Sequence, residues 1–296
     1  MQKSLFTTVK HLFTETFKSA NNHDVALYGA AIAFYTIFSV APLIVIILGL
    51  TTVFLGEQQS AAVFSEYLTQ LTGAQIADSL LEFANVSQRE SSGRIASIIA
   101  TAMLIFGATT VITQLKNALN KIWGITNPKI SSVVLYIFNR FLALITILVL
   151  AALFIASLLL EGGMTFFTGL FLPYLPNVFT PFLKLASSLL SILITIFFFT
   201  LTFKLLPDVH ARWRDIFVGA CITTVLFLIG KYLVGFYLAS GSLQLTYKAA
   251  GSLVVFLIWI YYNIQIVLIG AEFTQVYTKR FGKDLRASRN AEFMSS

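Results

Sequence analysis

The chain has 296 residues, of which 57% are hydrophobic and 11% charged, and it carries a net charge of +7. A soluble domain holds about 25% charged residues and has no place to hide so much apolar surface, so a water-soluble fold is excluded and a bilayer is the solvent that fits. The excess positive charge lies in short stretches between apolar runs, which is the pattern of membrane topology and not of nucleic-acid binding.

Residues 1–24 read as a cytoplasmic amphipathic arm. Phe6, Val9, Phe13 and Phe17 recur at spacings of three and four, and Lys3, Lys10 and Lys18 fall near the other face. That spacing predicts a helix lying on the membrane surface, its lysines toward anionic head groups. Lys3, Lys10, Glu15 and Lys18 also break any continuous apolar stretch, so no cleavable signal peptide is expected. Asn21, Asn22, His23 and Asp24 supply capping candidates for the next helix.

Residues 25–280 are expected to form one domain of six transmembrane helices. The first span, about 27–55, has a small-residue face (Gly29, Ala30, Ala33) and is interrupted by Pro42. Proline removes a backbone hydrogen bond and predicts a kink, and in lipid the freed carbonyl needs a neighbouring helix or a cavity. Residues 57–93 are rich in acid (Glu57, Glu66, Asp78, Glu82, Glu90) and keep helical spacing, so they read as short amphipathic extracytoplasmic helices. The second span, 95–112, continues through Gln114, Lys116, Asn117, Asn120 and Lys121 into the interface. The third covers 133–160, the fourth 182–206, the fifth 213–238 and the sixth 251–276. Each meets the requirement of about 20 residues for a hydrocarbon core. Residues 281–296 read as a flexible cytoplasmic tail. The predicted fold class is therefore all-α, a polytopic membrane protein with an N-terminal interfacial helix.

Basic residues divide fifteen to five between the two sides of this arrangement. The positive-inside rule then puts both termini in the cytoplasm. Two halves of three helices would be inverted relative to each other, as in inverted-repeat transporters. No self-similarity between residues 27–160 and 182–276 supports that.

Little in the chain suggests chemistry. The single cysteine, Cys221, lies in an apolar stretch, and His11, His23 and His210 share no metal-ligand spacing. No nucleotide-binding, metalloprotease or nucleophile motif is present, so no cofactor, metal or catalytic residue is expected and the chain is not read as an enzyme. The intramembrane ionisable groups are what remain. Glu272 follows Tyr262 and Gln265 on one helical face. It reads either as part of a polar stripe lining a pathway or as a helix-end carboxylate paired with a cytoplasmic lysine or arginine. Lys231 lies about 10 Å inside the fifth span at 1.5 Å per residue. It is expected to snorkel outward, to pair with Glu161, or to face a cavity holding an anionic substrate. Lys184 and Lys248 are expected at the same outer level.

The stretch Ala30-Ala31-Ile32-Ala33-Phe34-Tyr35-Thr36-Ile37-Phe38-Ser39-Val40-Ala41-Pro42-Leu43 resembles the opening helix of the YihY/BrkB family of bacterial inner-membrane proteins. Ala118-Leu119-Asn120-Lys121-Ile122-Trp123, then Pro207, Trp213, Gly219 and Ala220, then Trp259-Ile260-Tyr261 with Gly270-Ala271-Glu272, are similar to later parts of the same family. The resemblance runs from about residue 25 to 280, with Lys248 standing where a small residue is expected. It implies a six-helix inner-membrane protein linked to envelope integrity and serum resistance. Similar proteins have carried the label ribonuclease BN, which nothing in this sequence supports. The sequence thus points to a transporter or permease for lipid or envelope-related substrates. A small-ion transporter or channel and a non-transporting envelope scaffold are the alternatives. Membrane lipids, anionic ones included, are the expected partners. A homo-oligomer or an envelope protein partner stays open, and nucleic acid is not expected.

Overall fold

Apolar runs of this length in lipid must close their backbone hydrogen bonds internally, and helices do so. The computed structural model describes residues 2–37, 39, 65, 78, 94–126, 141, 145, 180–239, 251–282, 286–287 and 292–293. Among these the helices are α1 (Gln2–Asn22), α2 (Val25–Ile37), α3 (Arg94–Ile122), α4 (Thr180–Leu205), α5 (Trp213–Ala239) and α6 (Gly251–Phe281). Three of them, α4, α5 and α6, are long and apolar enough to cross a membrane. The predicted fourth and fifth spans match α4 and α5 to within two residues at each end. The sixth begins as predicted but runs five residues further, to Phe281. The second and its interfacial extension are one continuous helix, α3. Pro42 and nearly all of the third span and of 57–93 lie outside the described residues.

The chain divides by internal packing into two units. One contains Met1–His23, Lys116–Leu226 and Val267–Ser296, and the other Asp24–Leu115 and Phe227–Ile266. In the first unit Leu119, Ile122, Phe203, Ile216, Ala220 and Leu268 are almost wholly buried. Here α5 and α6 meet along a seam of small residues. Gly219 lies against Thr274, and Thr223 lies against Gly270, so each helix offers a glycine to the other's threonine. Both threonines donate their hydroxyls to their own helix, Thr223 to Gly219 O at 2.8 Å and Thr274 to Gly270 O at 2.7 Å. Polar groups satisfied in this way let the backbones approach with no unmet hydrogen bond, the packing that membrane helices favour.

Helix α3 ends where Trp123 N donates to Leu119 O and Gly124 takes φ 66°, a left-handed position that glycine occupies without strain. The chain then enters β1 (Ile125–Thr126), which pairs antiparallel with β4 (Glu292–Phe293), while β2 (Val209–His210) pairs with β3 (Arg286–Ala287). The tail expected to be flexible thus contributes two strands. Two-residue strands carry no periodicity, so sequence pattern does not reveal them.

Helix α1 is buried along a stripe separate from its phenylalanines. Leu12, Thr16 and Ala20 are its buried stripe, whereas Phe13 and Phe17 are exposed. The small side chains at 16 and 20 allow close approach to protein, and Thr16 satisfies its hydroxyl on Leu12 O at 2.7 Å.

Candidate functional site

The first unit brings together the turn after α1 and the middle of the C-terminal half of α6. His23 N closes the last turn of α1 on Ser19 O at 2.9 Å. Asp24 follows at φ 55°, a conformation that aspartate tolerates better than most residues, and its carbonyl accepts the first bond of α2 from Tyr28 N at 3.1 Å. This turn presents the His23 ring to α6. His23 Nδ1 lies 2.6 Å from Glu272 Oε1, and Ser19 Oγ lies 3.4 Å from the same nitrogen. A carboxylate oxygen and a bare imidazole nitrogen both accept, so one of the two groups carries the hydrogen of this bond.

Glu272 is 0% exposed and the side chain of His23 25% exposed. Glu272 Oε2 is buried and accepts no hydrogen bond among the described residues. Its buried neighbours on α6 do not supply one: Thr274 and Thr278 donate to Gly270 O and Thr274 O, each at 2.7 Å. The site therefore joins a protonatable pair to one uncommitted oxygen, inside a helix long enough to cross a membrane. The helix-end alternative for Glu272 expects a lysine or arginine as its partner; the partner in the structure is a histidine 249 residues away, and the carboxylate is buried.

The other predicted residues fall elsewhere. Gln265 Nε2 points to Val25 O at 3.3 Å and Ala26 O at 3.5 Å, in the second unit. Tyr262, also in that unit, covers Gly230. Tyr262, Gln265 and Glu272 thus share a helix but meet three different neighbours. Lys231 is exposed on α5, beside the exposed Ile229, Tyr232 and Leu233. Its suggested partner Glu161 lies outside the described residues.

A second polar cluster ties α3 to the chain before α5. Asn120 Nδ2 donates to Asp208 Oδ2 at 2.9 Å, and Asp208 N donates back to Asn120 Oδ1 at 2.8 Å. Lys116 Nζ completes it at 2.9 Å from Asp208 Oδ1. Lys204 Nζ donates to Ala211 O at 2.7 Å and sits over the Trp213 ring. Two stretches that carried the family resemblance, 118–123 and 207–213, are therefore one clamp. Sequence reasoning missed His23 because an isolated histidine carries no pairing signal. The one usable clue was that a carboxylate inside a span must have a partner.

The family described as virulence factor BrkB matches residues 16–294. A UPF0761 membrane protein of Mannheimia succiniciproducens is 25% identical, over 93% of this chain and 92% of its own length. Another, from Stenotrophomonas maltophilia, is 29% identical over 82% of this chain. One from Ralstonia nicotianae is 25% identical over 86%. The matched region is only 55% of the Stenotrophomonas protein and 56% of the Ralstonia protein, so the chain spans about half the length of these longer relatives. No solved structure matches the chain. With the family matched over most of its length and three membrane-length apolar helices, the chain belongs to the BrkB family and is a helical membrane protein.

Proposed function

We propose that this protein is an inner-membrane transporter or permease for lipid or envelope-related substrates, with six spans and both termini cytoplasmic. The observation that carries the reading is Glu272, wholly buried, bonded at one oxygen to His23 and free of hydrogen bonds among the described residues at the other. An ionisable group inside a membrane helix is expensive, and a protein that only had to sit in the bilayer would do better with leucine there. Lys231 supports the substrate class. An amine exposed among apolar side chains, on the outward surface of α5, suits a phosphate-bearing headgroup better than a closed central path.

Purified protein reconstituted into liposomes with a fluorescent anionic phospholipid tests this. The expected result is protein-dependent movement between leaflets, reduced in Glu272→Gln at equal protein level. Wild-type vesicles with no movement, with or without a pH gradient, would defeat the lipid reading. The proton held between His23 and Glu272 favours a second reading, transport of protons or small ions. Dye-loaded vesicles that change internal pH while lipid stays in place would select it. For topology, reporter fusions after Lys10, Pro128 and Asn290 are expected to report cytoplasm and one after Gln88 the outer side. A cytoplasmic report at Gln88 would end the six-span arrangement.

A further inference from the structure

We propose that the outward side of α1, together with the end of α6, is a docking surface for an anionic phospholipid headgroup layer. The surface starts from the two-sidedness of α1. Leu12, Thr16 and Ala20 recur every four residues and are buried, so this stripe faces protein. The opposite side, around Lys10, Thr14, Phe17, Lys18 and Asn21, is exposed. At 3.6 residues per turn that exposed side is itself divided. Phe13 and Phe17, 39% and 60% exposed, form one flank with Lys10 beside Phe17, and Lys18 lies toward the other. Phenylalanine at acyl depth with lysine beside it at phosphate depth is how an interfacial helix is held.

The C-terminal end of α6 has the same composition. Lys279 and Arg280 are exposed, and Phe281 is 50% exposed. Two contacts join the elements within one unit: Arg280 Nη1 donates to His11 Nδ1 at 2.8 Å, and the Phe13 and Phe273 rings lie 5.9 Å apart. The charged part of this surface is four exposed basic residues, with the half-buried Glu15 at its edge. Its complement is a negative layer. A protein partner would be met by an apolar centre with a charged rim, whereas here charge and aromatic rings alternate.

The surface has a consequence for the site. The lipid layer holds α1 from one side, and α1 holds His23 on Glu272 from the other. A ligand that binds only the docked arrangement stabilises it, so anionic lipid holds the His23–Glu272 pair together. This does not depend on what the protein transports.

The test uses the full chain carrying Cys221→Ala, with a nitroxide at Thr14→Cys, and repeats it at Asn21→Cys. Nanodiscs of phosphatidylcholine alone are compared with nanodiscs that also contain phosphatidylglycerol. Collision with oxygen reports depth in lipid, and collision with an aqueous nickel chelate reports exposure to water. Both labels are expected to shift toward oxygen in phosphatidylglycerol, by about fivefold in the docked population for each contributing lysine, and high salt should reverse the shift. Lys10→Gln with Lys18→Gln should cut the lipid dependence by about 25-fold in the docked population, leaving the part carried by Lys279 and Arg280, with the unfolding temperature unchanged. Phe17→Ser should make the labels shallower in both lipids. Equal accessibilities in the two lipids at both labels, or a dependence that the double glutamine variant leaves undiminished, would overturn the proposal.

Discussion

Both units pack helices around glycine, but they fill the space differently. In the first unit, Gly219 and Gly270 receive the side chains of Thr274 and Thr223, which are short, β-branched, buried and already bonded to their own backbones. In the second, Gly29 receives the amide of Gln265, and Gly230 receives the hydroxyl end of Tyr262. A threonine has one strongly restricted torsion and nowhere to go. A glutamine amide stands at the end of a flexible chain and can yield. The same glycine signature in the sequence therefore marks a rigid seam in one place and an adaptable contact in the other.

The largest effect is expected where the first unit departs from small-residue packing. His23→Ala leaves Glu272 buried with no partner among the described residues, a change that costs about 3 kcal/mol in detergent unfolding. Adding Glu272→Leu to that variant should recover most of the loss, since removing both partners costs far less than stranding one. A His23→Ala protein as stable as the wild type would show that the pair contributes nothing to the rigidity of this unit.

Next comes the seam itself. Gly219→Val forces new carbon into Thr274 and is expected to cost about 1–3 kcal/mol. Thr274→Gly in the same chain should return part of it, with a coupling of about 0.5–3 kcal/mol in a double-mutant cycle. Additive losses would mean that the two residues do not share the space. Gly107 sharpens the comparison, because it lies in the second unit yet meets Ser39 at its Cα, 3.1 Å from where a Cβ would stand. If rigidity of the neighbour and not location decides, Gly107→Ala should lower the unfolding temperature about as much as Gly219→Ala.

Smaller effects should follow at the adaptable contacts. Gly29→Ala displaces the Gln265 amide from two long hydrogen bonds, at 3.3 and 3.5 Å, and is expected to cost about 0.5–1 kcal/mol. A loss as large as that at Gly219 would erase the distinction between the units. The smallest change is expected for Lys231→Met, within about 0.5 kcal/mol of wild type, since the side chain is exposed beside Ile229, Tyr232 and Leu233. A marked destabilisation would point to a buried partner for its amine.

The sequence by itself determined where helices α3 to α6 lie, to within two residues at the ends of α4 and α5 and five at the end of α6, because a bilayer accepts only long apolar runs whose backbone is closed on itself. It also pointed to the family, and to Glu272 as a group that needs a partner, because a carboxylate in such a run is costly to leave unpaired. The tertiary structure alone decided which polar group answers that carboxylate. His23 and Glu272 are 249 residues apart, and no local spacing encodes a pair at that separation. It also decided which side of α1 packs. The sequence marks the phenylalanine side as apolar, but Leu12, Thr16 and Ala20 form the stripe that meets protein. When lipid and protein interior are equally apolar, hydrophobicity does not say which of them a face meets, and the choice falls to how closely two backbones can approach.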